Sequence, residues 1–303
     1  MKTIFVITVV ASALSVVLCR SSILSEEFIK SINEKATTWT ARNNFDNYST
    51  EQLNALVGVI GISRDPEQKL PLMVHTVRDG IPVEFDSRQV WPKCSSIRTI
   101  RNQGQCGSCW AFAAVEVMSD RLCIFTDGQK QFTFSPEELV SCCSSCGDCG
   151  GGYVIEPFNY WQRTGIPSGG DYGSNLGCRP YTAIDGNTPQ CNERCVGGYG
   201  KDWNSDIRHG IATFEVTNTI EQIQHEIVIN GPVVALMEVY EDFYNYANVK
   251  IIGWGVDNGT PYWLIANSWG TGWGEKGYFR ILRGSNNSQI ESYIVAGNPN
   301  TDE

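Results

Sequence analysis

Gln103-Gly104-Gln105-Cys106-Gly107-Ser108-Cys109-Trp110 decides how the rest of the chain reads. Two cysteines with small residues between them stand ahead of the longest helical pattern in the sequence. Over 108–125, Trp110, Phe112, Ala113, Ala114, Val117, Met118, Leu122 and Phe125 recur at helical spacing, and Asp127-Gly128 stops the run. This puts Cys109 in the first turn of a helix. Unsatisfied backbone N–H groups and the positive end of the helix dipole there favour a thiolate, the attacking form of cysteine. The same N–H groups can stabilise an oxyanion, and Gln103 has a side-chain N–H to join them. The plainer alternative is two structural cysteines at a helix start.

Upstream, Lys2 and an uncharged run over 4–18 read as a signal peptide, with Cys19 and Ser21 near the cut. The run is too short to predict a membrane span. Residues 20–80 form a more polar segment. Ser25 caps a helical pattern over 25–35 through Phe28 and Ile32, and Asp79-Gly80 marks a turn. From 81 the texture becomes rich in Gly, Cys and Trp.

Downstream, Ser135-Pro136-Glu137-Glu138 opens a second helix with a capping signature. Residues 142–153 form a Gly/Cys-rich loop that needs disulfides to hold still. Strands are expected over 211–216, 233–240, 249–254, 262–266, 278–282 and 292–296, with one helix over 220–230. A helical half followed by a β-rich half predicts an α+β architecture of two lobes with a cleft between them.

Composition agrees. The chain has 303 residues, 42% of them hydrophobic, enough for one two-lobed domain plus processing segments. A net charge of −10 argues against nucleic acid as a partner. Of twelve cysteines, Cys19 leaves with the signal; the eleven others are an odd number, so one thiol is left over. Cys106 with Cys109 as a redox pair, or Cys143, Cys146 and Cys149 as a zinc site, are disfavoured. Export favours disulfides, and no His stands at ligand spacing nearby.

The residues at 103–110 resemble the signature around the catalytic cysteine of papain-type cysteine proteases, C-G-[SA]-C-[WY]. Asn267-Ser268-Trp269-Gly270 with Trp273-Gly274 resembles that family's N-S-W-G-x-x-W-G segment. The resemblance implies Cys109 as nucleophile, Gln103 in the oxyanion hole, Asn267 orienting the base and Trp269 shielding that contact. It is to the cathepsin B branch in particular. Val83-Glu84-Phe85-Asp86-Ser87-Arg88, Gly177-Cys178-Arg179-Pro180-Tyr181, Asn258-Gly259-Thr260-Pro261-Tyr262-Trp263 and Ile281-Leu282-Arg283-Gly284 match it. Residues 25–80, with Trp39 and Phe45, look like its short inhibitory propeptide.

The implied fold is papain-like α+β with a helical left lobe, a β-barrel-like right lobe and an N-terminal propeptide. The implied division is signal peptide 1–19, propeptide 20–80 and protease domain 81–303. The implied bridges are Cys94–Cys123, Cys106–Cys149, Cys142–Cys191, Cys143–Cys146 and Cys178–Cys195, which leave Cys109 free. Gly151 and Gly152 match glycines whose backbone pairs with an extended peptide. Glu291 matches the acid at the base of the second substrate pocket, where it receives Arg; the alternative is a solvated surface Glu. Expected partners are peptide or protein substrates, the propeptide as inhibitor and cystatin-like inhibitors. No cofactor or metal is expected, and the destination is the secretory pathway, lysosomal or extracellular.

Two departures qualify the resemblance. The occluding loop that trims dipeptides in cathepsin B is reduced to 182–190, without His, so endopeptidase action remains. The base is also missing. A catalytic His is expected about 130–150 residues after the cysteine, here over 239–259, and none is there. His75 lies in the propeptide, and His209 and His225 read as surface or packing histidines. Reading back from Ile251-Ile252-Gly253-Trp254-Gly255, the slot falls on Ala247, and the 243–249 link is short by roughly fifteen residues on the family spacing. The expectation is therefore a cathepsin B-like endopeptidase precursor without its base. The alternatives are an inactive homologue that binds peptides or inhibitors, a splice form or gene model of an active enzyme, and, ranked below these, a disulfide-rich structural protein. Asn47, Asn258 and Asn286 lie in glycosylation sequons.

Overall fold

The computed structural model describes residues 26, 27, 30, 34, 53, 56–76, 80–239 and 245–303, with backbone only at 245 and 246. The signal-peptide reading, Trp39, Phe45 and Asn47 lie outside the described residues. The chain divides into a unit Met1–Asp46 and a unit Asn47–Glu303. In the first, Glu26, Glu27 and Lys30 are helical, and the Glu34 N–H donates to the Lys30 carbonyl at 3.0 Å, in keeping with the helix read over 25–35.

The second unit carries, among its described residues, strands β1 (Val59–Gly61), β2 (Leu72–Met73) and β3 (Phe85–Asp86), then helices α1 (Ser87–Val90), α2 (Cys109–Phe125) and α3 (Pro136–Cys142). Strands β4 (Gly147–Asp148) and β5 (Gly151–Tyr153) follow, then α4 (Glu156–Arg163), α5 (Trp203–Asp206), β6 (Gly210–Val216) and α6 (Ile220–Asn230). The chain continues through β7 (Val233–Val239), β8 (Asn245–Asp257), β9 (Thr260–Ala266), β10 (Tyr278–Leu282) and β11 (Ile294–Pro299).

Helix α2 is buried on every side from Cys109 to Cys123, which explains why its sequence is apolar nearly all round. Helix α3 starts where its sequence says: the Ser135 hydroxyl accepts from the Glu138 N–H at 3.2 Å, and Pro136 occupies the first turn. Thr219 caps α6 in the same way.

The strands join in one mixed sheet of order β2-β6-β11-β7-β8-β1-β5-β4, with β9 and β3 pairing other parts of β8 and β10 pairing β9. The β-barrel-like expectation for the right lobe is corrected here. The sheet path runs from β2 to β4 without meeting itself, with β1 between β8 and β5 and β2 on the outer edge of β6. The expected strand over 249–254 is also longer, running through Asn245–Asp257.

Two apolar clusters hold the unit. One surrounds α2 with Trp110, Phe112, Val115, Met118, Phe134, Phe158 and Trp161. The other lies between the sheet and α6 with Phe214, Ile223, Ile227, Val249, Ile251, Trp254 and Trp263. Each fully buried large side chain contributes about 2–3 kcal/mol. Strand β8 serves both: Val249 and Ile251 belong to the second cluster and Ala247 to the first. Lys250 faces α2 instead. Its ammonium stands 2.9 Å from Asp120 and 3.2 Å from Glu116, fully buried.

Candidate active site

Cys109 opens α2. The Ala111 and Phe112 N–H groups take up the Ser108 carbonyl, so the first turn forms at the cysteine itself. Five disulfides are present, Cys94–Cys123, Cys106–Cys149, Cys142–Cys191, Cys143–Cys146 and Cys178–Cys195. Cys109 is the free cysteine among the described residues. The Cys106–Cys149 bridge and the Gly107 N–H to the Cys149 carbonyl (2.9 Å) pull the loop before α2 onto the glycine-rich strand β5. Gly152 must lack a side chain, since a Cβ there would stand 2.5 Å from the Trp110 ring.

Gln103 is fixed at three points. Its N–H donates to the Ser268 carbonyl at 2.9 Å, its Oε1 accepts from the Ser268 hydroxyl at 2.7 Å, and its own carbonyl accepts from the Tyr181 hydroxyl at 2.9 Å. This leaves Nε2 to donate to the Cys106 carbonyl at 2.9 Å and to the Leu56 carbonyl at 3.1 Å. The Asn267-Ser268-Trp269 segment is thereby tied to the loop that precedes the nucleophile. Asn267 is buried; its Oδ1 accepts from the Ser268 N–H, and Trp269 packs edge-on against Trp273 at 5.0 Å.

Residues 56–61, expected to be part of the propeptide, run through this place. The Gly58 N–H points at the Cys109 sulfur, 3.4 Å away, and the Gly58 carbonyl accepts from the Gly152 N–H at 2.8 Å. Strand β1 pairs parallel with β5 through Val59 and Gly152, and antiparallel with β8 through Val59 and Tyr246. Gly58 alone fits: a Cβ would lie 1.8 Å from the Gly107 carbonyl oxygen. Cys109 is consequently fully buried. Burial pushes its thiol up, while N–H groups of Asn248, Gly58 and Trp110 pull the other way. With the prosegment seated, the sulfur is held as the thiol.

Ala247 lies in β8 opposite Met237, 1% exposed, and the backbone of its neighbour Asn248 faces the Cys109 sulfur. The three histidines are engaged elsewhere. His75 bonds Glu226 (2.6 Å), His209 bonds Glu303 (3.0 Å), and His225 sits in α6 beside the His75 ring.

Glu291 is buried, with its carboxylate taken up by internal donors. Its Oε1 accepts from the Trp263 indole N–H (2.8 Å) and the Gly284 N–H (2.7 Å), and its Oε2 from the Asn286 N–H (2.9 Å). The 182–190 loop is pinned by the Cys142–Cys191 bridge and by the Thr188 hydroxyl, which accepts from the Cys149 N–H at 3.0 Å. Sequence reasoning did not find Leu56 and Gly58. The isolated Gly58 between apolar neighbours was the only signal for them. It also missed Asn248, whose carboxamide is buried with neither atom partnered.

The profile of papain family cysteine proteases matches residues 81–298, and that of the peptidase family C1 propeptide matches residues 24–61. The chain is 41% identical to cathepsin B-like cysteine proteinase 6 of Caenorhabditis elegans, over 90% of this chain and 83% of the relative. It is 46% identical to the gut-specific cysteine proteinase of the same organism, over 74% of this chain and 75% of that one. Among solved structures, procathepsin B S9 from Trypanosoma congolense superposes with a TM-score of 0.81 at 32% identity. That match covers 92% of this chain and 99% of that one.

Proposed function

The chain belongs to the papain family of cysteine proteases, as a cathepsin B-like precursor with its own propeptide as inhibitor; from that premise we propose that it keeps the peptide cleft and nucleophile but lacks the base for rapid turnover. What supports this reading is that Ala247, which the family spacing puts at the base position, is a buried β8 residue, while His75 bonds Glu226, His209 bonds Glu303 and His225 sits in α6. Residues 20–80 then act as the prosegment and 81–303 as the protease domain.

A substrate strand takes the place of β1 along Gly151 and Gly152, with Trp269 at the cleft. The Cys109 sulfur attacks the scissile carbonyl carbon. The carbonyl oxygen, now negative, takes the position of the Leu56 oxygen, where Gln103 Nε2 and N–H groups at the start of α2 receive it. The C–N bond then breaks, and the leaving amine needs a proton. In the family a His held by the counterpart of Asn267 moves that proton; Ala247 has none to give. The expected turnover is about 10⁴- to 10⁶-fold below that of a complete relative.

An endopeptidase outcome fits the short 182–190 loop. A role for Glu291 in holding a substrate Arg is not favoured by its three internal hydrogen bonds. The leader pattern at 1–19 and the five disulfides support passage through an oxidising secretory compartment, towards lysosome or exterior. Among the described residues no helix is long and apolar enough to cross a membrane.

A dibasic fluorogenic peptide under acidic, reducing conditions tests the proposal. Near-background turnover is expected. Turnover at the level of a complete cathepsin B-like enzyme, abolished by Cys109→Ser, defeats it. Inserting a segment that ends in Gly-Gly-His between Phe243 and Ala247 is expected to restore activity.

A further inference from the structure

We propose that the edge of β6 and the first turns of α6 form a second peptide-binding site, for an extended segment that carries an imidazole two residues after an apolar side chain. The inference extends the prosegment reading above to another surface of the same domain, and rests on that reading only for the identity of the occupant.

The occupant here is the 71–75 stretch of the prosegment. Leu72 and Met73 pair parallel with Glu215 and Val216. The Glu215 N–H donates to the Pro71 carbonyl at 3.0 Å, and the Thr217 N–H and hydroxyl donate to the Met73 carbonyl at 3.2 and 3.0 Å. Past the end of β6, a side chain continues the backbone pairing. The Gln222 carboxamide accepts from the His75 N–H at 2.6 Å and donates to the His75 carbonyl at 2.9 Å. One side chain thus meets both main-chain groups of a single residue, as a neighbouring strand does.

Side chains of an extended segment alternate, so Met73 and His75 share one face while Leu72 and Val74 take the other. Leu72 and Val74 are exposed, and Met73 packs against the second apolar cluster. The His75 imidazole donates from Nε2 to Glu226 Oε2 at 2.6 Å. Glu226 is fully buried, and its other oxygen meets the Arg121 guanidinium at 2.7 Å. Arg121 therefore neutralises the carboxylate and leaves one oxygen for a ligand N–H. The His225 ring closes the site, stacked on His75 at 6.3 Å.

Each of these partners (Arg121, Glu215, Thr217, Gln222, His225 and Glu226) lies in residues 81–303. The site therefore stays complete on the protease domain when the chain is cut between residues 76 and 81. A prosegment severed there keeps two independent holds, one in the cleft and one at His75.

Hydrogen–deuterium exchange on the full chain tests this. The Glu215 and Thr217 amides report on the second site and the Gly152 amide on the cleft. In His75→Ala and in Gln222→Ala, exchange at Glu215 and Thr217 is expected to rise roughly tenfold or more, with Gly152 unchanged. A synthetic peptide of residues 70–76 added to His75→Ala is expected to restore protection, and the same peptide with Ala for His is not. Unchanged exchange at Glu215 and Thr217 in both variants overturns the proposal, and so does a peptide that fails to protect. Free exchange at Gly152 alone counts against the cleft reading and leaves this one standing.

Discussion

Glu291 and Cys109 show how differently single residues depend on their surroundings. Glu291 looks on the chain like a pocket acid, yet its carboxylate closes a turn by accepting three hydrogen bonds. Glu291→Ala strands the buried Trp263 indole N–H and frees two partly exposed backbone N–H groups, and is expected to cost about 1–3 kcal/mol in denaturant unfolding, without altering preference for Arg-bearing peptides. Cys109 is legible from its neighbours alone, because a helix start and a flanking Gln are local features. Its protonation is not local: burial by a segment some fifty positions upstream raises the thiol. Gly58 was illegible for the same reason, since its need for a bare Cα comes from the Gly107 carbonyl.

Among elements, β1 is the one on which dormancy turns. It fills a slot one strand wide between β5 and β8, and it runs parallel to β5. Gly58→Ala cannot lie in that slot. Alkylation of Cys109 by a small thiol reagent is expected to speed up at least tenfold in this variant, read by mass spectrometry over time. Helix α3 carries a second expectation. The Ser135 hydroxyl caps Glu138 and donates to the Arg179 carbonyl, so Ser135→Ala is expected to lower stability by about 1–2 kcal/mol, measured by thermal unfolding. Helix α2 was readable from its apolar spacing and its Asp127-Gly128 stop, and α3 from its Ser135-Pro136 capping signature. The limits of β8 were not, because its outer residues become strand only by pairing with β7 and β9.

For the whole molecule, the joint between α2 and β8 sets how stability varies with pH. Lys250 stands between the buried carboxyl groups of Asp120 and Glu116. Burial outweighs the attraction of Lys250 and pushes Glu116 from 4.5 up to about 7. The folded chain therefore binds a proton there that the unfolded chain has released, and stability falls as pH rises between those values. The loss is up to about 3 kcal/mol. Glu226 acts in the opposite sense. Burial raises it, but Arg121 and His75 outweigh that and hold it low, so its contribution is lost as pH falls. Comparing melting temperatures of the native chain and Glu116→Gln at pH 5 and pH 8 isolates the Glu116 effect: the native chain is expected to lose more on going to pH 8. By itself the sequence determined the odd thiol at Cys109, and it carries the reading of that residue as nucleophile, of Gln103 as oxyanion donor and of an absent base. Each of these is carried by adjacent residues, by counting, or by a spacing with nothing in it. Only the tertiary structure decided that the prosegment adds strands to an open sheet, that Glu291 serves a turn, and that His75 has a site of its own. Those depend on contacts between residues far apart in the chain, and no local pattern encodes which distant surface a side chain will meet.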